Sequence, residues 1–261
     1  MMTVNISVPT SWAQLSQKQL RFLLATIVSV NKANKNVSYR SQEDFAAQQA
    51  AQVNTICFFE WSGLSVICQY DDGWLVSLGE AEFQLSAETV ASAISALDWT
   101  RSLPEIPVRL ASIDGAKAIE ADISSSMTFD SWLACEALWQ QYQSAQEDES
   151  LRLMAEILYN KQGIRLDEVE TLSIFYWWAA VKDMVSNMFP NFFKGASPDT
   201  EQSQFSYDDA RRNIDAQIRA LTKGDITKEK DILVMNAIRA LTELDAQARE
   251  YDELQRKYPT K

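Results

Sequence analysis

Residues 167–194 contain the densest apolar run of the chain, Ile174-Phe175-Tyr176-Trp177-Trp178-Ala179-Ala180-Val181, and any fold has to bury it. Asp167 with Glu170 three residues on reads as a capping box, and Pro190 as the stop. Leu172, Phe175, Trp178, Val181, Val185 and Met188 recur at helical steps, with Ile174, Trp177 and Met184 on the neighbouring face. A helix apolar on more than one face is expected to be covered from several sides. Lys182, Asp183, Ser186 and Asn187 interrupt the run short of the ~20 residues a bilayer requires, so it predicts a central core helix over 167–190. An aromatic ligand site is the competing reading.

The chain has 261 residues, 46% of them apolar, enough for a proper core without metals or staples. Its net charge of −12 argues against nucleic acid, because phosphate binding needs clustered Lys and Arg. The acidity is uneven: residues 1–160 hold 9 basic against 19 acidic side chains, residues 161–261 hold 15 against 17. Cys57, Cys68 and Cys135 lack C-x-x-C spacing and stand among apolar neighbours, as reduced cytoplasmic thiols do. Residues 1–9 lack a basic stretch followed by an apolar one, so Sec-type secretion is not expected.

Along the chain, the run after Ser11 and Trp12 predicts a helix ending near Asn31. Ser41 with Asp44 caps a second helix that reaches Trp61 and stops at Gly63. The period then switches. Residues 64–70 and 74–78 alternate around Asp71-Asp72-Gly73, which predicts a hairpin that Phe83 to Leu85 extends; 108–110 and 118–123 are further candidate strands. Ser86 caps a short helix through Leu97 and Trp99. Thr128 caps a helix facing inward with Trp132, Cys135, Leu138 or Trp139, and Tyr142, and a second follows with Leu151, Met154, Ile157 and Leu158.

The expected class is α+β and predominantly α-helical, with a small antiparallel sheet at about 64–123, the core helix at 167–190 and a C-terminal helical hairpin. The domains expected are 1–194, a linker at 195–204, and 205–261. In the hairpin, Ser206 with Asp209 caps a helix ended by Gly224, and a longer one spans 227–258 with Val234, Ala237, Leu241, Leu244, Ala248 and Tyr251 as its seam. The longer helix should overhang, leaving Ala248, Tyr251, Leu254 and Tyr258 as a candidate partner-binding surface on a hairpin separable from the rest; the alternative is that the overhang packs back on the main domain. Ile-Arg-Ala-Leu-Thr occurs at 218–222 and 238–242, a coincidence of common helix residues rather than a repeat.

Histidine is absent, which removes Ser-His-Asp, Cys-His and H-E-x-x-H chemistry, and no glycine pattern makes a phosphate cradle. Asp71 with Asp72, Asp208 with Asp209, and Glu147-Asp148-Glu149 have simpler readings as a turn, a helix N-terminus and a solvated loop. The eight tryptophans would suit sugar stacking, but read as core. No catalytic residue, metal or cofactor is expected.

Three stretches resemble uncharacterised proteins from the morphogenesis region of tailed temperate phages and prophages, encoded near the tail tube and tape measure. They are Pro9-Thr10-Ser11-Trp12-x-x-Leu15-Ser16-x-x-Gln19-Leu20, Trp177-Trp178-Ala179-Ala180-Val181-Lys182 leading to Phe189-Pro190-Asn191-Phe192-Phe193, and Ile218-Arg219-Ala220-Leu221-Thr222-Lys223-Gly224-Asp225. The resemblance implies a non-enzymatic cytoplasmic role like that of tail assembly chaperones, with tail tube or tape-measure proteins as partners and neither nucleic acid nor membrane. A head-tail adaptor or tail terminator, which would form a ring, and a carboxylate-based hydrolase are the alternatives.

Overall fold

The computed structural model describes residues 6–35, 37, 41–119, 126–194 and 206–258. It is 66% helical with a small antiparallel three-stranded sheet in the N-terminal half, a predominantly α architecture with some β. Two compact units emerge, one of Met1–Leu110 with Glu168–Tyr176, the other of Ala111–Asp167 with Trp177–Lys261.

In the first unit a 3-10 turn, Trp12–Gln14, leads into α1, Gln17–Asn34. Ser16 and Gln19 cap each other's backbone there in a capping box, and the helix runs three residues past the expected end near Asn31. Helix α2, Gln42–Ser62, begins as expected, with the Ser41 hydroxyl accepting from the Asp44 N–H, and ends at Gly63 in the left-handed conformation. Strands β1, Ser65–Tyr70, β2, Gly73–Leu78, and β3, Ala81–Ser86, form an antiparallel meander in that order. A side chain at Gly73 would meet the Leu85 carbonyl oxygen at 2.1 Å, so this position admits only hydrogen. Ser86 caps α3, Ala87–Ser95. The helix expected to continue through Leu97 and Trp99 instead tightens into a 3-10 turn, Asp98–Arg101, where Thr100 donates to the buried Asn54 side chain at 2.7 Å.

The second unit opens with a minimal hairpin, β4, Ser112–Ile113, and β5, Ala116–Lys117, around Asp114-Gly115. Both turn residues have positive φ, the signature of an Asp-Gly hairpin turn. The strands expected at 108–110 and 118–123 are absent at 108–110 and 118–119. Leu110 N–H meets the Ser173 hydroxyl; Ala118 N–H adds one rung to the β4–β5 pairing by donating to the Ala111 carbonyl at 3.0 Å, and Ile119 N–H then turns to the Leu158 carbonyl, which ends it. Residues 120–123 lie outside the described residues. Helices α4, Phe129–Ala145, and α5, Asp148–Leu158, pack as a pair separated by Gln146 in the left-handed region.

Helix α6, Glu168–Met188, is the expected core helix: Ile174, Trp177, Trp178, Val181 and Val185 are buried. Its last turn departs from the reading, because Met188 is exposed. Pro190 stops α6 and opens the four-residue α7, Pro190–Phe193. The linker expected at 195–204 lies outside the described residues.

The tail corrects three expectations. Helix α8, Tyr207–Thr222, starts without a side-chain cap from Ser206; only its carbonyl accepts the Asp209 and Ala210 N–H groups. The helix expected over 227–258 is broken into a 3-10 turn, Ile226–Lys228, α9, Glu229–Leu233, and α10, Ala237–Lys257. The break has a tertiary cause. Met235 O accepts from Phe129 N–H at 2.7 Å and Ala237 N–H donates to Met127 O at 2.9 Å, a small β-bridge tying the start of α10 to the start of α4. Val234, expected in the seam, is therefore exposed. Finally, 205–261 is no separable hairpin, since α10 packs on α4 and α7 as well as α8 and buries Ala237, Ala240, Leu241 and Leu244 in the second unit.

Candidate functional site

The candidate site is the outer half of α10. Up to Asp245 the helix is held: that carboxylate accepts from the N–H groups of Asn191 and Phe192 at 2.8 and 2.9 Å and from the Asn191 amide at 2.9 Å. It thereby caps α7, a job done from a distant stretch of sequence. One turn pair further on, Asp252 meets the Lys194 ammonium at 2.9 Å. Burial works to raise the Asp245 pKa, but the hydrogen bonds from Asn191 and Phe192 outweigh it and hold the carboxyl below its ordinary value.

Past Asp245 the large apolar side chains meet solvent. Tyr251 is 62% exposed, Leu254 57% and Tyr258 75%, whereas Ala248 is half-buried at the foot of the strip. Spacing of three and four residues puts Tyr251, Leu254 and Tyr258 on one helix face. The Gln255 amide, on that face too, donates to the Tyr251 hydroxyl at 3.0 Å. Glu250 and Lys257 border the strip. Such an arrangement offers apolar contact with a charged rim, the anatomy of a protein interface, and no group placed for proton transfer.

Asp71, Asp72, Asp208, Asp209, Glu147, Asp148 and Glu149 are all exposed, so none of the three acidic groups is a desolvated pair. Asp209 pairs with Arg212, and Glu149 with Arg152, whose hydrogen bond lowers the carboxylate's pKa instead of raising it. No group of three or more His, Cys, Asp or Glu among the described residues could hold a metal ion, and no described helix is long and apolar enough to cross a membrane.

The tryptophans form packed clusters, not a platform. Trp12 donates its indole N–H to the carbonyls of Ser102 at 3.0 Å and Trp99 at 3.2 Å, and its ring meets Trp99 edge-on and Tyr176 at a tilt. In the second unit Trp132 lies against Trp178 with centroids 5.3 Å apart. Lys182, which interrupts the apolar run of α6, is accommodated by Glu136 at 2.7 Å and by the faces of Trp132 and Phe193.

The chain matches no family model, no curated protein and no solved structure. The site is therefore read from its own geometry. Two surfaces escaped the sequence reading. One is a groove of about 540 Å³ between α1 and α2, lined by Val30, Ala33, Ala51, Thr55 and Ile56. The other is β1, the edge of the sheet, whose Val66, Ile67 and Tyr70 are exposed. Both look like ordinary core in sequence, since periodicity reports which side chains share a face and not whether anything covers it.

Proposed function

We propose that this chain is a non-enzymatic interaction protein acting in phage or prophage tail assembly in the host cytoplasm, holding a tail component through Tyr251, Leu254 and Tyr258. The observation that carries the interaction reading is that strip: three large apolar side chains left in solvent on one face of a helix whose preceding turns are buried. Support for the tail assignment is the resemblance in three stretches. Their side chains include Trp12, Trp177, Trp178, Val181 and Phe189, all buried here, so the resemblance is carried by residues that build the core. The lack of a desolvated acid pair among the described residues favours binding over hydrolysis.

The test is a pull-down with the full chain from cells in which the phage region is induced, comparing wild type with Tyr251→Ser/Leu254→Ser. Wild type should retain a tail tube or tape-measure protein and the double variant should lose most of it, with an unchanged thermal midpoint. Equal capture by both would remove the strip from the reading. A purified chain that forms a closed ring would transfer the proposal to a tail terminator or adaptor.

A further inference from the structure

The charges beside the strip follow an order that matches itself when reversed. At about 100° per residue, Glu250 and Lys257 border one side of the Tyr251, Leu254 and Tyr258 face and Gln255 the other, while Arg256 stands on the back of the helix. On the charged side the acid comes first and the base follows. When two helices pack antiparallel about a two-fold axis, each border meets the same border of the other helix running backwards. Glu250 then faces Lys257 of the copy, and Lys257 faces Glu250 of the copy. The midpoints of these pairings, and of Tyr251 with the opposing Tyr258, all fall at or beside residue 254. Parallel packing would set this border beside the opposite border of the copy, where Gln255 stands, and would pair no charges.

We propose that a second copy of this chain covers the strip, docked antiparallel with the two-fold axis beside Leu254, whenever the tail partner is absent. This rests on reading the strip as an interaction surface, because the copy and the tail component would occupy the same side chains. Glu250 and Lys257 are both exposed, so each is free to meet its counterpart on the copy. Three large side chains make a patch below the roughly 800 Å² per partner of a standard interface, and −12 on each chain opposes association. The dimer is weak, as a reversible cover has to be.

Sedimentation velocity of the purified full chain, from about 5 to about 500 μM at ~0.15 M ionic strength, tests it without any tail component. Wild type should pass from monomer to dimer across that range. Glu250→Lys or Lys257→Glu alone should weaken the dimer about three- to tenfold, since each change acts twice across the axis. Combined, Glu250→Lys/Lys257→Glu should restore it to within about twofold of wild type. A chain that stays monomeric throughout, or a double variant as weak as the singles, overturns the proposal. Because the pull-down reads tail capture and sedimentation reads self-association, either reading can fail while the other stands.

Discussion

Asp245 belongs to α10 in sequence and to the start of α7 in function, where its carboxylate supplies the cap that Phe189 cannot. Replacing it in Asp245→Ala should cost about 1–2 kcal/mol in urea unfolding at pH 7, the range of a lost N-cap. The folded pKa lies below the unfolded one, so the contribution is complete above the ordinary value near 3.8 and is lost as pH falls through the depressed folded value; the two curves should converge there. The cysteines make a second residue-scale case. Burial, reinforced by Glu60 and partly offset by the Thr26 hydroxyl, pushes the Cys57 thiol up to about 12, and burial with Glu136 nearby raises Cys135 too. Cys68 stands half-exposed on β1. A thiol reagent at pH 8 should therefore label Cys68 first in the native chain and all three after denaturation; rapid native labelling of Cys135 would contradict the packing described.

At the scale of elements, the caps were legible because a cap is a local bargain between a side chain and the next turn: Ser41, Ser86 and Thr128 all cap where their spacing says they should. Ser206 shows the limit, having the right neighbours and no cap hydrogen bond. The break at 234–236 was illegible for a different reason. Its residues are compatible with helix, and only the backbone pairing with Met127 and Phe129, a hundred residues away in sequence, draws them out of it. Val234→Asp should consequently change stability by less than about 0.5 kcal/mol, whereas Leu241→Ala, fully buried, should cost about 2–5 kcal/mol. A continuous helix with an unbroken seam would make both substitutions costly. The repeated Ile-Arg-Ala-Leu-Thr ends α8 and begins α10, two unlike settings that fit coincidence better than duplication.

For the whole molecule, the unit boundary follows contacts and not composition. Ala237, Ala240, Leu241 and Leu244 of α10 are core of the second unit, so deleting 205–261 should expose the faces of α4 and α7 that they cover. That truncation should lose cooperative unfolding in the unit holding Trp132, Trp139, Trp177 and Trp178 and become protease-sensitive within 126–194, read by near-UV dichroism and limited proteolysis. A cooperative, protease-resistant remainder would restore the hairpin to independence. The candidate site divides along the same line. That Tyr251, Leu254 and Tyr258 share a face follows from helical spacing alone, and so does the burial of Ile174, Trp178 and Val181, because an apolar run this dense has nowhere else to go. Whether a given face is covered is settled by neighbours distant in sequence: Asp245 and Asp252 anchor α10 to 191–194, while Tyr251, Leu254 and Tyr258 on another face remain exposed. Amphipathic period is a property of one segment and can be read from it, while coverage is a property of two surfaces and exists only once the chain has folded.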